Sequence, residues 1–377
     1  MGRRGYLLWL ALAAVVALAL GQAGSAGADT TWRTVASGLN NPRGLAFNSD
    51  GLLYVAEAGR GGSGPCVDGP EGKQCFGLSG SITRVNLARN YQERIVTGLP
   101  SLAGEDGTAA TGPHDISFVN RVQGFVIVGY GGAPQNRTTS FGPGGAGLGQ
   151  LMRGAPERGW RAANDISAYE GTANPDGGEV DTNPYSVLAL PGKQIIADAG
   201  GNDLIEVHDN GSRRTLAVFP DRMVDAPPFL GMPPGSQIPM QAVPTSVALG
   251  PDGNYYVGQL TGFPFPVGGA NVYRVPAQGG TPEVFASGFT NIVDLAFGRD
   301  GSLYVVEITK NGLLAAEQPG GDVTGAVIRV APNGTKTEVA SEGLMAPGGI
   351  AVGPDGGLYV TNKSVAAGNG EVVRIQP

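Results

Sequence analysis

The chain is 377 residues long, and its 64 glycines and 28 prolines make up about a quarter of it, close to the level at which aperiodic Gly and Pro signal disorder. Hydrophobic residues at 41% are ample for a core, and one folded unit of this length buries roughly three quarters of its extended surface, so periodic glycine would rule disorder out. The 25 Lys and Arg are dispersed among 32 Asp and Glu, for a net charge of −7; this lacks the basic footprint of a phosphate-backbone binder and argues against nucleic acid as a partner.

At the N-terminus, Arg3 and Arg4 precede an apolar run from Tyr6 to Leu20, and Ala26-Gly27-Ala28 has the small-x-small form of a cleavage site. Residues 1–28 therefore read as an export signal, with a faint twin-arginine look in Arg3-Arg4. The run is short for a membrane span; an uncleaved anchor is the alternative reading. Removal takes two arginines and no acid, leaving residues 29–377 as a single domain of net charge about −9. No second long apolar run follows, so the product is expected outside the cytoplasm with no membrane span.

A segment then recurs six times. Its first half is Pro, two residues and an apolar pair, in Pro42 to Leu45, Pro113 to Ile116, Pro184 to Val187, Pro244 to Val247 and Pro347 to Ile350; Ile292 to Leu295 is the copy without proline. Its second half is a turn glycine (Gly51, Gly124, Gly192, Gly253, Gly301, Gly356), followed four residues on by Val55, Val128, Ile196, Val257, Val305 or Val360. Asp-Gly precedes four of these strands, the short-range hairpin signal. Third strands carry apolar-x-Arg-apolar, with Arg84, Arg274, Arg329 and Arg374 and a looser copy at Arg153; structural ion pairing is their expected role. Fourth strands end in Gly-apolar, as at Gly98-Leu99, Gly288-Phe289 and Gly343-Leu344. Six units of four short strands predict an all-β, six-bladed β-propeller, because one blade cannot bury both faces alone. Val35 to Leu39 is a fourth-strand copy with no unit before it, and the chain stops after a third strand at Ile375. The N-terminal strand is thus predicted to complete the last blade.

In such a blade the 1-2 and 3-4 turns share one face of the disc, and here they are tight. The long insertions fall on the other face, in segments 59–80, 101–112, 131–149, 162–183, 221–243, 260–270 and 309–324. Loops on a rigid scaffold are where binding is built. The first insertion holds Cys66 and Cys75, the two cysteines of the chain, read as a disulfide in an oxidising compartment.

Six residues after each turn glycine stand Glu57, Tyr130, Asp198, Gln259, Glu307 and Asn362, a polar ring where the second strands reach that face. Beside them, at the start of the innermost strands, come Arg43, His114, Asp115, Asn183, Thr245 and Asp294. Converging oxygens suit a hard cation such as Ca²⁺, with Glu57, Asp198, Glu307 and Asp294 as candidate metal ligands; alternatively they cap strand ends and bond loop backbone. His114 with Asp115 is a candidate general base and carboxylate, or a hydrogen-bonded rim residue, since no nucleophile motif accompanies it. His208 falls in a 3-4 turn on the plain face and reads as a surface residue. The loop Leu260-Thr261-Gly262-Phe263-Pro264-Phe265-Pro266 is a candidate binding wall through Phe263 and Phe265, flanked by Gln259, Tyr130 and Asn362, or a plug over the channel.

Several segments resemble the ScyD/ScyE family across essentially the whole mature chain. They are Asn41-Pro42-Arg43-Gly44-Leu45-Ala46-Phe47, Tyr54-Val55-Ala56-Glu57-Ala58-Gly59, the Cys66 to Cys75 loop, Asn174-Pro175-Asp176-Gly177-Gly178, Asp198-Ala199-Gly200-Gly201-Asn202-Asp203, Tyr256-Val257-Gly258-Gln259-Leu260-Thr261-Gly262-Phe263-Pro264 and Gly288-Phe289-Thr290-Asn291-Ile292. The resemblance implies an exported bacterial propeller with NHL-like, SMP-30-like blades. It assigns no reaction and no catalytic residue. Gln259 stands where the family pattern has Glu.

The leading expectation is a secreted propeller that binds a small molecule, a glycan or a partner protein through its loop-rich face. The alternative is a divalent-metal-dependent hydrolase of the lactonase kind, with the metal at the channel mouth. A propeller fold alone does not choose between them.

Overall fold

The structure, a computed structural model, describes residues 32–69, 72–155 and 159–376; the export signal read at residues 1–28 lies outside them. Six antiparallel sheets follow one another as blades. Blade 1 holds Pro42–Phe47, Leu53–Glu57, Gly72–Asn86 and Tyr91–Gly104, and blade 2 holds Pro113–Asn120, Gln123–Val128, Gln150–Ala155 and Gly159–Asp165. Blade 3 is Pro184–Leu190, Lys193–Asp198, Asp203–His208 and Arg213–Val218; blade 4 is Pro244–Leu249, Tyr255–Gln259, Ala270–Val275 and Glu283–Phe289. Blade 5 is Ile292–Phe297, Leu303–Glu307, Ala326–Val330 and Lys336–Ala340. Blade 6 takes Gly349–Val352, Leu358–Asn362 and Gly370–Ile375, and its fourth strand is Trp32–Leu39 from the other end of the chain, with Trp32 opposite Ile375 and Leu39 opposite Gly370. The predicted exchange of the N-terminal strand is present.

The β-branched residue four positions after each repeated glycine (Val55, Val128, Ile196, Val257, Val305, Val360) is completely buried in all six blades. Each such side chain contributes roughly 2 kcal/mol of transfer free energy. Apolar clusters lie between each blade and the next, and one joins blade 6 to blade 1 through Leu39, Leu45, Val55, Tyr359 and Val372. The innermost strands also pack on one another in sequence, with Pro42–Phe47 touching both Pro113–Asn120 and Gly349–Val352.

Five of the six repeated glycines have left-handed φ, from 74° at Gly51 to 82° at Gly192. That is the conformation the turn needs and that a Cβ resists. Gly301→Ala, at φ 78°, should therefore lower stability by about 1 kcal/mol, readable as a shifted denaturant midpoint with unchanged slope. Gly124 departs from the expectation. It lies inside the strand Gln123–Val128, and the turn is made by Arg121 and Val122, with Asn120 Oδ1 accepting from Val122 N. Glycine is needed there for space, because a Cβ would sit 2.7 Å from the Phe118 ring and 2.8 Å from the Trp160 ring.

The turn aspartates explain the third-strand arginines. Asp252 and Asp300 each accept a backbone N–H two residues on and bond Arg274 and Arg329 at 2.8 Å; Asp355 pairs with Arg374 in the same way. Bonds from Arg329, Ser302 and their counterparts hold Asp300 and Asp252 down at about 2. Arg84 instead meets Glu93, and Arg153 lies 3.7 Å from Asp209. His208 is a turn-side residue 3.0 Å from Glu206, as expected.

The insertions carry more structure than loops. Cys66–Gly69 pairs with the start of Gly72–Asn86, placing Cys66 opposite Cys75, and the two form the expected disulfide. Segment 162–183 contains the helix Ile166–Ala173, N-capped by Asp165, and segment 221–243 contains the hairpin Arg222–Asp225/Gln237–Met240. Among the described residues no helix is long and apolar enough to cross a membrane.

Candidate functional site

The polar ring is where the repeat register places it, but its members point into protein. Glu57, Asp198 and Asn362 are completely buried, and Tyr130, Gln259 and Glu307 nearly so. In four blades the ring residue accepts the N–H of the chain entering that blade: Glu57 from Asn40 N at 2.7 Å, Asp198 from Asn183 N at 2.7 Å, Glu307 from Thr290 N at 2.8 Å and Asn362 from Met345 N at 2.7 Å. Asp198 also accepts from Gly200 N, Gly201 N and the Thr182 hydroxyl. Gln259 Oε1 accepts from Asn271 N and Arg222 Nη2, and the Tyr130 hydroxyl donates to Ala133 O. These are strand-end caps, the second of the two readings open at the sequence level. Burial raises the Glu307 carboxyl to about 7 and raises Asp198 as well.

Glu57, Asp198, Glu307 and Asp294 are not brought together. They belong to blades 1, 3 and 5, each bound to its own partners, and no group of three or more His, Cys, Asp or Glu among the described residues stands ready to hold a metal ion. Asp294 instead lines the central channel with Asp115. Asp115 Oδ2 accepts from Val187 N and Ser186 Oγ, both at 2.9 Å, and Asp294 Oδ2 accepts from Ile350 N at 2.7 Å, so each carboxyl stitches one blade to the next. Burial raises Asp115 to about 6 despite those bonds, and burial plus the Asp115 charge push Asp294 well above the ordinary range. Gly44 occupies the same inner-strand register as Asp115; a Cβ there would stand 2.1 Å from Asp115 Oδ1, which is why the narrow channel takes glycine.

One layer toward the loop face, Arg43, His114, Tyr185, Thr245 and Val293 take the next inner-strand position and enclose a cavity of about 50 Å³. Asn183 and Thr111 add polar atoms, while Ala109, Ala199, Val243, Leu260 and Ile308 supply apolar wall. Arg43 Nη2 donates to Ala110 O at 2.7 Å, and Thr245 Oγ1 donates to Ile292 O at 2.7 Å. Two ring and side-chain nitrogens have no protein partner: Arg43 Nε and His114 Nδ1. Both residues are deeply buried, at 6% and 2% exposure. Burial and the adjacent Arg43 charge push His114 down to about 3, against the pull of the Pro184 carbonyl, so the imidazole is neutral. Its ring packs where a Gly129 Cβ would be and 4.6 Å from the Tyr185 ring.

The expected His114–Asp115 pair is not made, since Asp115 bonds Ile116 N, Ser186 and Val187 instead. The loop after Gln259 divides its roles. Leu260 lines the cavity and Phe265 is buried in the core between blades 5 and 6, so this part is a plug. Phe263 faces outward of it, in edge contact with Phe265 and with Phe229 of segment 221–243. Tyr185 was missed at the sequence level; its place one residue after the repeated proline was the available signal.

No protein-family model matches the chain, and no curated protein sequence does. Solved structures match it in fold. The apo form of the soluble aldose sugar dehydrogenase from Escherichia coli is 13% identical, covering 93% of this chain and 100% of its own, with a TM-score of 0.52. Regucalcin, a calcium-binding protein from Agrobacterium tumefaciens, is 12% identical, covering 92% and 95%, with a TM-score of 0.50. Identities this low speak for the fold alone. The protein is a six-bladed β-propeller, with a small cavity of mixed polar and apolar lining at one end of its channel.

Proposed function

We propose that this is an exported binding protein which takes the carboxylate or similarly anionic head group of a small molecule into the channel-mouth cavity. The observation that carries this reading is Arg43 Nε, a buried N–H without a protein partner, on a residue that lines this small space beside His114. A buried donor without a partner costs about 1–3 kcal/mol, and a carboxylate satisfies Arg43 through a charge-assisted bond. The cavity holds a head group or a few waters, so the remainder of a ligand would lie among the loops above, near Phe263. Assignment to the ScyD/ScyE family, on the segments quoted above, is part of the same reading, and the Cys66–Cys75 disulfide supports the extracytoplasmic location.

Binding is favoured over hydrolysis because His114, held at about 3, is a poor general base at neutral pH. Calorimetry and thermal denaturation of residues 29–377 against small carboxylic acids, sugar acids and lactones test this. A carboxylate ligand should bind, and Arg43→Gln should weaken it by about tenfold or more. A ligand indifferent to Arg43→Gln would contradict the site, and EDTA-sensitive turnover of a lactone would establish the metal-dependent hydrolase instead.

A further inference from the structure

Away from the channel axis, two loops of the working face bring five carboxylates together. Glu170 lies on the helix Ile166–Ala173, and Asp176 and Asp181 follow in the segment leading to blade 3. Asp198 and Asp203 are cross-strand partners at the ends of Lys193–Asp198 and Asp203–His208. The space is narrow: a Cβ on Gly201 would stand 3.0 Å from Glu170 Oε2 and 3.6 Å from Asp198 Cγ. Asp176 is tied to the second loop by Asn202 Nδ2 at 3.1 Å.

Neither oxygen of Glu170 nor of Asp203 has a hydrogen-bond partner, nor does Asp181 Oδ2, although Glu170 and Asp203 are completely buried and Asp181 is 2% exposed. Burial and the charges of Asp198, Glu170 and Asp176 raise the Asp203 carboxyl well above the ordinary range, against the pull of the Thr215 hydroxyl. None of the five takes part in an ion pair among the described residues, where fourteen such pairs occur elsewhere. Burial and the charges of Asp198 and Asp176 raise Glu170 to about 8; burial with Asp198, Glu170, Asp176 and Glu179 raises Asp181 to about 10. Several buried, mutually repelling carboxyls with idle oxygens are costly unless a cation neutralises them.

We infer that these segments form a binding site for one Ca²⁺ ion, held by Glu170, Asp181 and Asp203 with Asp176 and Asp198 at its edge. The donors are all carboxylate oxygens, which suits Ca²⁺ with its six to eight oxygen ligands better than Zn²⁺, which favours nitrogen and sulfur. The groups do not yet stand as a cage; the ion draws in side chains that repulsion holds apart. This site is distinct from the channel mouth and does not depend on what binds there, yet Asn183 and Ala199 of the cavity wall adjoin Thr182 and Asp198. The ion therefore braces one side of that cavity.

The test uses residues 29–377 freed of metal by EGTA, with Ca²⁺ alone as the probe. Calorimetry should show one bound ion, and the melting temperature should rise by about 3 °C or more at millimolar Ca²⁺. Glu170→Gln and Asp203→Asn should each weaken binding by about tenfold or more while the metal-free variants melt no lower than the metal-free wild type, since each loses a repelled charge. Glu307→Gln, in blade 5, should keep the full response. Hydrogen exchange of the wild type supplies the location without any variant: Ca²⁺ should protect segments 174–183 and 198–203. Absence of heat and of a thermal shift in the wild type, an undiminished response in both variants, or protection confined elsewhere would overturn the inference.

Discussion

Replacing Arg94 by Ala should destabilise the protein by about 3 kcal/mol, far more than loss of any of the blade-repeat arginines. Arg94 meets Glu57 in a two-pronged pair, Nε to Oε1 at 3.0 Å and Nη2 to Oε2 at 2.8 Å, and the same Nη2 donates to Gly38 O at 2.8 Å. Glu57 is completely buried and also accepts from Asn40 N. The cluster therefore clasps blade 1 to the N-terminal strand that finishes blade 6. Without Arg94 a buried carboxylate keeps only the Thr83 hydroxyl and one backbone N–H, and stranding such a charge is strongly destabilising. Arg274→Ala is the control. Its partner Asp252 is a third exposed, and exposed pairs are worth about 1 kcal/mol or less. Urea denaturation of both variants decides the matter; equal losses would show that Glu57 and Arg94 are no seam.

The channel residues should give stability a maximum near pH 4: below it the His114 contribution falls away unopposed, and above it the losses at Asp115 and Asp294 together outweigh the gain at His114. His114 is depressed from 6.5 to about 3 by burial and Arg43, so the unfolded chain takes up its proton first. The stabilisation is present above about 6.5 and is lost as the pH falls toward about 3, amounting to about 5 kcal/mol at full extent. Asp115, raised to about 6, and Asp294, raised further by burial and by the Asp115 charge, act in the opposite sense. The native state holds their protons more tightly than the unfolded chain, so this contribution is complete below about 4 and disappears as the pH rises through about 6 and beyond. Two units correspond to about 3 kcal/mol. Measured against wild type, His114→Gln should flatten the acid limb and Asp294→Asn the alkaline limb. A curve for Asp294→Asn parallel to wild type between pH 5 and pH 8 would contradict the assignment.

The architecture was legible because the propeller writes its core in a fixed register: a glycine, then a buried β-branched residue four positions on. The same register misled at Gly124, where steric pressure from Phe118 and Trp160 demands glycine in a strand and the turn is made elsewhere. Glu57, Glu307 and Asn362 were placed correctly along their strands, yet their role depended on N–H groups of the incoming chain, at Asn40, Thr290 and Met345, which no spacing rule reveals. For the cavity, Arg43, His114, Asn183 and Thr245 were legible from the start of the inner strands. Tyr185 and the two unpartnered nitrogens became visible once neighbouring blades stood side by side. The carboxylate group of blade 3 was hidden for a similar reason. Glu170, Asp176 and Asp181 lie close in sequence, but Asp198 and Asp203 reach them across a separate turn, and burial rather than composition distinguishes them from solvated acids.

The central claim is that the channel mouth is a head-group site built around Arg43 and His114. Its most direct test is a crystal structure of the protein isolated from its own host without refolding or added ligands. The expected result is density in the cavity from a group whose acceptor oxygen bonds Arg43 Nε and which continues toward Phe263. A cavity filled by ordered waters that satisfy Arg43 Nε, unchanged after soaking with carboxylate ligands, would contradict it.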